Sequence, residues 1–135
     1  MAQQKASVST FIEEALEITE DSIAEVKTSE RRMYARRNAR WASVITTRDK
    51  RMIQCRALDV SERGASISSP VDFKANALFV LEMSVRYKGI QKKLRILSEV
   101  KRSAIAKEGF TLGLYFKDAS ETAFDFLKKY SNSQI

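Results

Sequence analysis

The sequence contains no histidine and a single cysteine, Cys55. Without an imidazole, a serine or cysteine nucleophile has no histidine base, and histidine-containing metal sites are excluded. One thiol permits neither an internal disulfide nor a cysteine-rich zinc site. Carboxylates are plentiful, but no pair stands at a spacing that suggests acid–base chemistry, so an enzyme is not expected. No apolar run approaches the roughly 18 residues that a membrane-spanning helix needs. The N-terminus carries no basic stretch followed by an apolar block, the pattern of a secretory signal, and a cytoplasmic location is the expectation. Aromatic residues make up 9%, few for a base-stacking platform. The length, 135 residues, suits one domain with a modest core.

Positive charge is what the chain has in excess, and it is unevenly placed. Residues 1–29 hold two lysines against six acids (Glu13, Glu14, Glu17, Glu20, Asp21 and Glu25), a balance of −4. The remainder holds 22 basic and 11 acidic residues, a balance of +11. A basic body behind an acidic leader points to an anionic partner for the body, whether nucleotide, nucleic acid or membrane surface.

Periodicity divides the chain in the same place. From Ser9, a suitable N-cap, the residues Ile12, Leu16, Ile23 and Val26 recur near helical spacing, with Phe11, Ala15 and Ile18 widening the stripe. Residues 1–29 are therefore expected to form an acidic amphipathic helix, packed on its own domain, a second copy or another protein. An arginine-rich connector follows, with Arg31, Arg32, Arg36, Arg37 and Arg40 inside ten residues. Beyond it β character dominates. Strands are predicted from Trp41, Met52, Ala65, Ala77, Leu94 and Phe110, with a turn at residues 48–50 and a loop opening at Pro70, the only proline. In the second strand Ile53, Cys55, Ala57 and Asp59 alternate onto one face, which makes Cys55 a core thiol. Ser120 can cap a closing helix that buries Ala123, Phe124 and Leu127. The expected fold is mainly β: a small six-stranded antiparallel barrel with a helix at each end of the chain.

Two elements stand apart from the strand pattern. One is an R-x-x-x-R, Arg32 to Arg36, preceded by Arg31. The other is D-x-S-x-x-G, formed by Asp59, Ser61 and Gly64 at a strand-to-strand junction. Alone, the second is a sensible hairpin, with Asp and Ser bonding local amides and Gly supplying a positive φ. A register from Arg36 to Arg40 is an alternative for the first.

In this order and separation, with Arg36 standing 23 positions before Asp59, the two elements resemble the PilZ family of bacterial receptor domains. The resemblance covers roughly residues 30–131, including the last strand and closing helix, and leaves residues 1–29 outside. It implies a cytoplasmic, non-enzymatic receptor for cyclic di-GMP that turns second-messenger level into a conformational or protein-interaction change. It implies ligand-binding roles for Arg31, Arg32, Arg36, Asp59, Ser61 and Gly64, with no metal or cofactor. The basic Arg31 ahead of the motif goes with a stacked pair of ligand molecules. Chemistry agrees: an arginine fork matches guanine N7 and O6, and its plane stacks on purines. Two other readings remain, a basic barrel that binds nucleic acid and a PilZ-fold adaptor without ligand.

Overall fold

The computed structural model describes residues 34–135. Arg31, Arg32 and the helix expected in residues 1–29 lie outside them.

Six strands follow one another: β1 (Arg36–Thr46), β2 (Met52–Ser61), β3 (Gly64–Ser69), β4 (Leu78–Tyr87), β5 (Ile90–Ala106) and β6 (Gly109–Asp118). All pairings are antiparallel, and the sheet closes into a barrel in the order β1-β2-β3-β6-β5-β4. Alternation decides which side chains fill it. Trp41 and Ile45 of β1, Ile67 of β3, Phe79, Leu81, Met83 and Val85 of β4, Leu94, Ile96 and Val100 of β5, and Leu112, Leu114 and Phe116 of β6 all point inward and are buried. Turn chemistry fixes the register. Lys88 and Gly89 both have positive φ, at 43° and 84°, and form the two-residue hairpin that sets Tyr87 opposite Ile90.

The closing helix, α1 (Glu121–Ser131), starts where Ser120 accepts a hydrogen bond from the Ala123 amide at 3.1 Å. Glu121 lies in its first turn and Lys128 and Lys129 in its last, each matching the helix dipole. Its buried face is Ala123, Phe126, Leu127 and Tyr130. Phe124, expected on that face, is only half-buried and takes another role described below. Tyr130 and Phe126 pack on Trp41, with ring centroids 4.9 and 6.3 Å apart, so the helix is fixed against the start of β1.

Four register shifts depart from simple alternation, two of them between β5 and β6 (Leu97/Ser98 and Val100/Arg102), and the other two serve the candidate site. The β1–β2 register slips between Asn38 and Trp41, and the β2–β3 register slips between Ala57 and Asp59. Arg40, at φ 55°, absorbs the first, and its carbonyl accepts from the Arg56 guanidinium at 3.0 Å. The second corrects the expected phase of β2. Ala57 faces the core, but the extra residue turns Val60 inward, fully buried, and leaves Asp59 on the outer wall.

Candidate functional site

Strand register brings the two sequence elements together. Arg36 is the cross-strand partner of Ser61, and Asn38 is the partner of Asp59. Cross-strand partners share a face, so Arg36 and Asp59 stand together on the outer wall of the barrel, with Ser61 beneath them on the same face. The Arg36 Nη1 lies 3.2 Å from Asp59 Oδ1. The pair is open to solvent, with side-chain exposures of 53% and 28%. An exposed pair of this kind contributes little to stability, about 0–1 kcal/mol. Its value is positional: the carboxylate holds the arginine fork over the motif turn, and among the described residues the other guanidinium N–H groups make no hydrogen bond.

Ser61 is buried and works within the turn. Its Oγ accepts from the Arg63 amide and donates to the Gly64 carbonyl, both at 3.3 Å. Gly64 is needed for a reason other than the positive φ expected of a turn glycine. A Cβ there would lie 2.6 Å from the Leu114 carbonyl oxygen of β6, so the glycine permits close packing of β3 on β6. Ser61 and Gly64 thus shape the platform beneath Arg36 and Asp59.

Arg63, inside the same turn, reaches the closing helix. Its Nη1 donates to the Phe116 carbonyl at 3.3 Å, and its guanidinium stacks 4.4 Å from the centre of the Phe124 ring. The Phe116 amide in turn donates to the Arg63 carbonyl at 2.9 Å. The motif turn, the end of β6 and α1 are therefore one mechanical unit.

The neighbouring arginine behaves differently. Arg37 points away from Arg36, as alternation requires, and its Nη1 donates to the main-chain oxygens of Tyr130 and Ile135 at 3.1 and 3.3 Å. Its Nη2 donates to the Tyr87 hydroxyl at 2.9 Å, and the cation lies over the Tyr130 and Tyr87 rings at 4.4 and 5.0 Å. The Arg37 hydrogen bond lowers the Tyr87 pKa from its usual value, while burial raises that of Tyr130. Arg37 is a structural clasp, and only the structure separates its role from that of Arg36. Cys55 is half-buried, and desolvation pushes its thiol up to about 12, which leaves it protonated and unreactive. No group of three or more metal-ligating side chains occurs among the described residues.

One wall residue escaped the sequence reading. On β5, Arg102 pairs with Gly113 of β6, which pairs with Ser66 of β3, itself the partner of Asp59. No linear motif signals this, because the four residues meet only through lateral register.

Comparison with known proteins bears on the family and the fold. The PilZ domain family model matches residues 30–133, and the chain belongs to that family. No curated protein matches the sequence. Among solved structures, the chain resembles MotI/DgrA, the Bacillus subtilis inhibitor of motility, at 16% identity and a TM-score of 0.66 over 77% of this chain. It spans half the length of that protein. It also resembles the PilZ domain of Escherichia coli YcgR, solved with c-di-GMP, at 18% identity and a TM-score of 0.57, covering 76% of this chain and 90% of that domain. Against the longer YcgR complex with c-di-GMP the TM-score is 0.63 at 18% identity, over 77% of this chain and 46% of that one. At these identities the likeness is one of fold.

Proposed function

We propose that this domain is a cyclic di-GMP receptor whose binding surface is the outer wall around Arg36 and Asp59. The observation that carries the reading is the 3.2 Å contact that holds an exposed arginine fork beside a carboxylate over the Ser61 turn. Guanine presents N7 and O6 to such a fork, and its N1–H and N2–H groups can donate to a carboxylate. Each phosphate adds charge that the basic body attracts. Family membership supports the same ligand, as does the c-di-GMP bound to the YcgR domain. Arg31 and Arg32, in the sequence just before Arg36, would complete the set, and a stacked pair of ligand molecules would use them most fully.

The domain acts by binding rather than by catalysis. Arg63 supplies the route from ligand to response, because the turn that meets the ligand also grips Phe116 and Phe124. Ligand seated on the turn would shift α1 and alter the surface offered to a protein partner or a second copy, to which the N-terminal segment would contribute.

Calorimetric titration with cyclic di-GMP at low salt tests the reading, with GMP and a single-stranded oligonucleotide as controls. Saturable binding of the cyclic dinucleotide alone is expected, with two ligands per chain for a stacked pair. A folded protein that takes up no heat, or binds the oligonucleotide equally well with a steep salt dependence, contradicts it.

A further inference from the structure

The wall does not end at Asp59. Following the register outward, Asp59 is opposite Ser66, Ser66 opposite Gly113, and Gly113 opposite Arg102. With strands about 4.8 Å apart, these four positions span roughly 14 Å across the barrel's outer face. The two residues between the ends are small, a serine and a glycine.

Arg102 does not simply project into solvent. Measured from where a Cβ on Gly113 would be, its Cγ, Nε and Cζ lie 3.0, 3.3 and 3.4 Å away. The side chain is therefore laid over the bare main chain of β6 at Gly113, the cross-strand neighbour of Ser66. Gly113 has no positive φ, so its backbone does not demand glycine. What the missing side chain permits is the seat of the guanidinium. Arg102 is exposed, and none of the ion pairs among the described residues involves it. A cation seated beside the backbone and exposed to solvent can offer its plane to a planar ring.

We infer that Arg102, seated on Gly113, is a second purine- and phosphate-recognising arginine that closes the far side of the wall. Its guanidinium plane would stack on the guanine that the Arg36–Asp59 end does not hold, or on the second molecule of a stacked pair. This rests on the cyclic di-GMP reading and deepens it. It assigns selectivity for a two-purine ligand to a residue outside both sequence motifs.

The test is calorimetric titration of cyclic di-GMP into the intact protein and into Arg102→Ala, Arg102→Lys and Gly113→Ala variants, with Lys93→Ala as control. Arg102→Ala should weaken binding about tenfold, the scale of a lost desolvated cation–π stack. Arg102→Lys, which keeps the charge and loses the plane, should recover little of it. Gly113→Ala should weaken binding by a smaller factor, because the atoms nearest its Cβ belong to the flexible Arg102 side chain. Melting temperatures should stay near that of the intact protein, since the folded barrel does not depend on this side chain. Binding by Arg102→Ala within twofold of the intact protein, while Arg36→Ala lowers affinity about a hundredfold, overturns the inference and leaves the receptor reading standing. Full recovery in Arg102→Lys overturns the stacking role. No binding by the intact protein overturns both.

Discussion

Arg36 and Arg37 are consecutive in β1 but belong to different regions of the molecule. Arg36 stands on the outer wall, about half exposed, with the Asp59 carboxylate as its ion-pair partner among the described residues. Arg37, on the other side of the strand, is held by three hydrogen bonds and two aromatic rings where α1 meets β1. The difference follows from the two-residue period of a strand, which sends neighbours to opposite faces. It teaches that in a cluster of like charges the partner set, rather than the charge, separates binding from support. A cation whose fork and face are already engaged within the fold has less to offer a ligand.

The comparison can be broken first at the support end. Trp41→Ala removes the ring on which Phe126 and Tyr130 pack, and should cost about 3–5 kcal/mol in chemical denaturation. A loss below about 1 kcal/mol would mean that α1 is not fixed through this cluster. Next is the exchange of roles between the two arginines. Arg36→Ala should lower cyclic di-GMP affinity roughly a hundredfold, as expected for lost charge-assisted bonds, with stability nearly unchanged. Arg37→Ala should do the reverse, lowering stability by about 2 kcal/mol and affinity only slightly. Titration and denaturation of both variants check this, and equal effects in both would dissolve the distinction.

A finer probe is Arg63→Ala. Losing its stack on Phe124 should cost about 1 kcal/mol and should uncouple α1 from the motif turn. Ligand-induced changes in the amide signals of α1 would then shrink while binding persists. The smallest effect concerns Cys55. Its thiol, raised to about 12 by burial, should be alkylated at least a hundredfold more slowly in the folded than in the unfolded protein near neutral pH, roughly in proportion to the thiolate fraction. Comparable rates in the two states would place Cys55 outside the core.

Much of this was legible in the sequence, and the gaps have physical causes. Alternation in the segments from Trp41, Met52, Ala77 and Leu94 announced strands, because a barrel that is solvated outside needs one apolar face on each. Ser120 announced the closing helix through its capping chemistry. The start of β1 was hidden because Arg36 and Asn38 face solvent and Arg37 is half-buried only through partners distant in sequence. The period running back from Trp41 through Ala39 to Arg37 was the available signal. Simple alternation from Ile53 would carry Asp59 onto the face of Ala57 while the motif makes it a ligand-binding residue, and the bulge that reconciles the two cannot be seen in a one-dimensional pattern. The pairing of Arg36 with Asp59 was implied by the motifs, whereas the place of Arg102 required the register of four strands.

The most direct test of the account is to follow the backbone amide signals of the intact protein by NMR as cyclic di-GMP is added. The account predicts that the largest shifts fall on Arg36, on Asp59 through Gly64, and on Gly113, with smaller ones in α1. Shifts gathered around Arg37, Tyr87 and Ile135 instead, with the Asp59 turn unmoved, would contradict it.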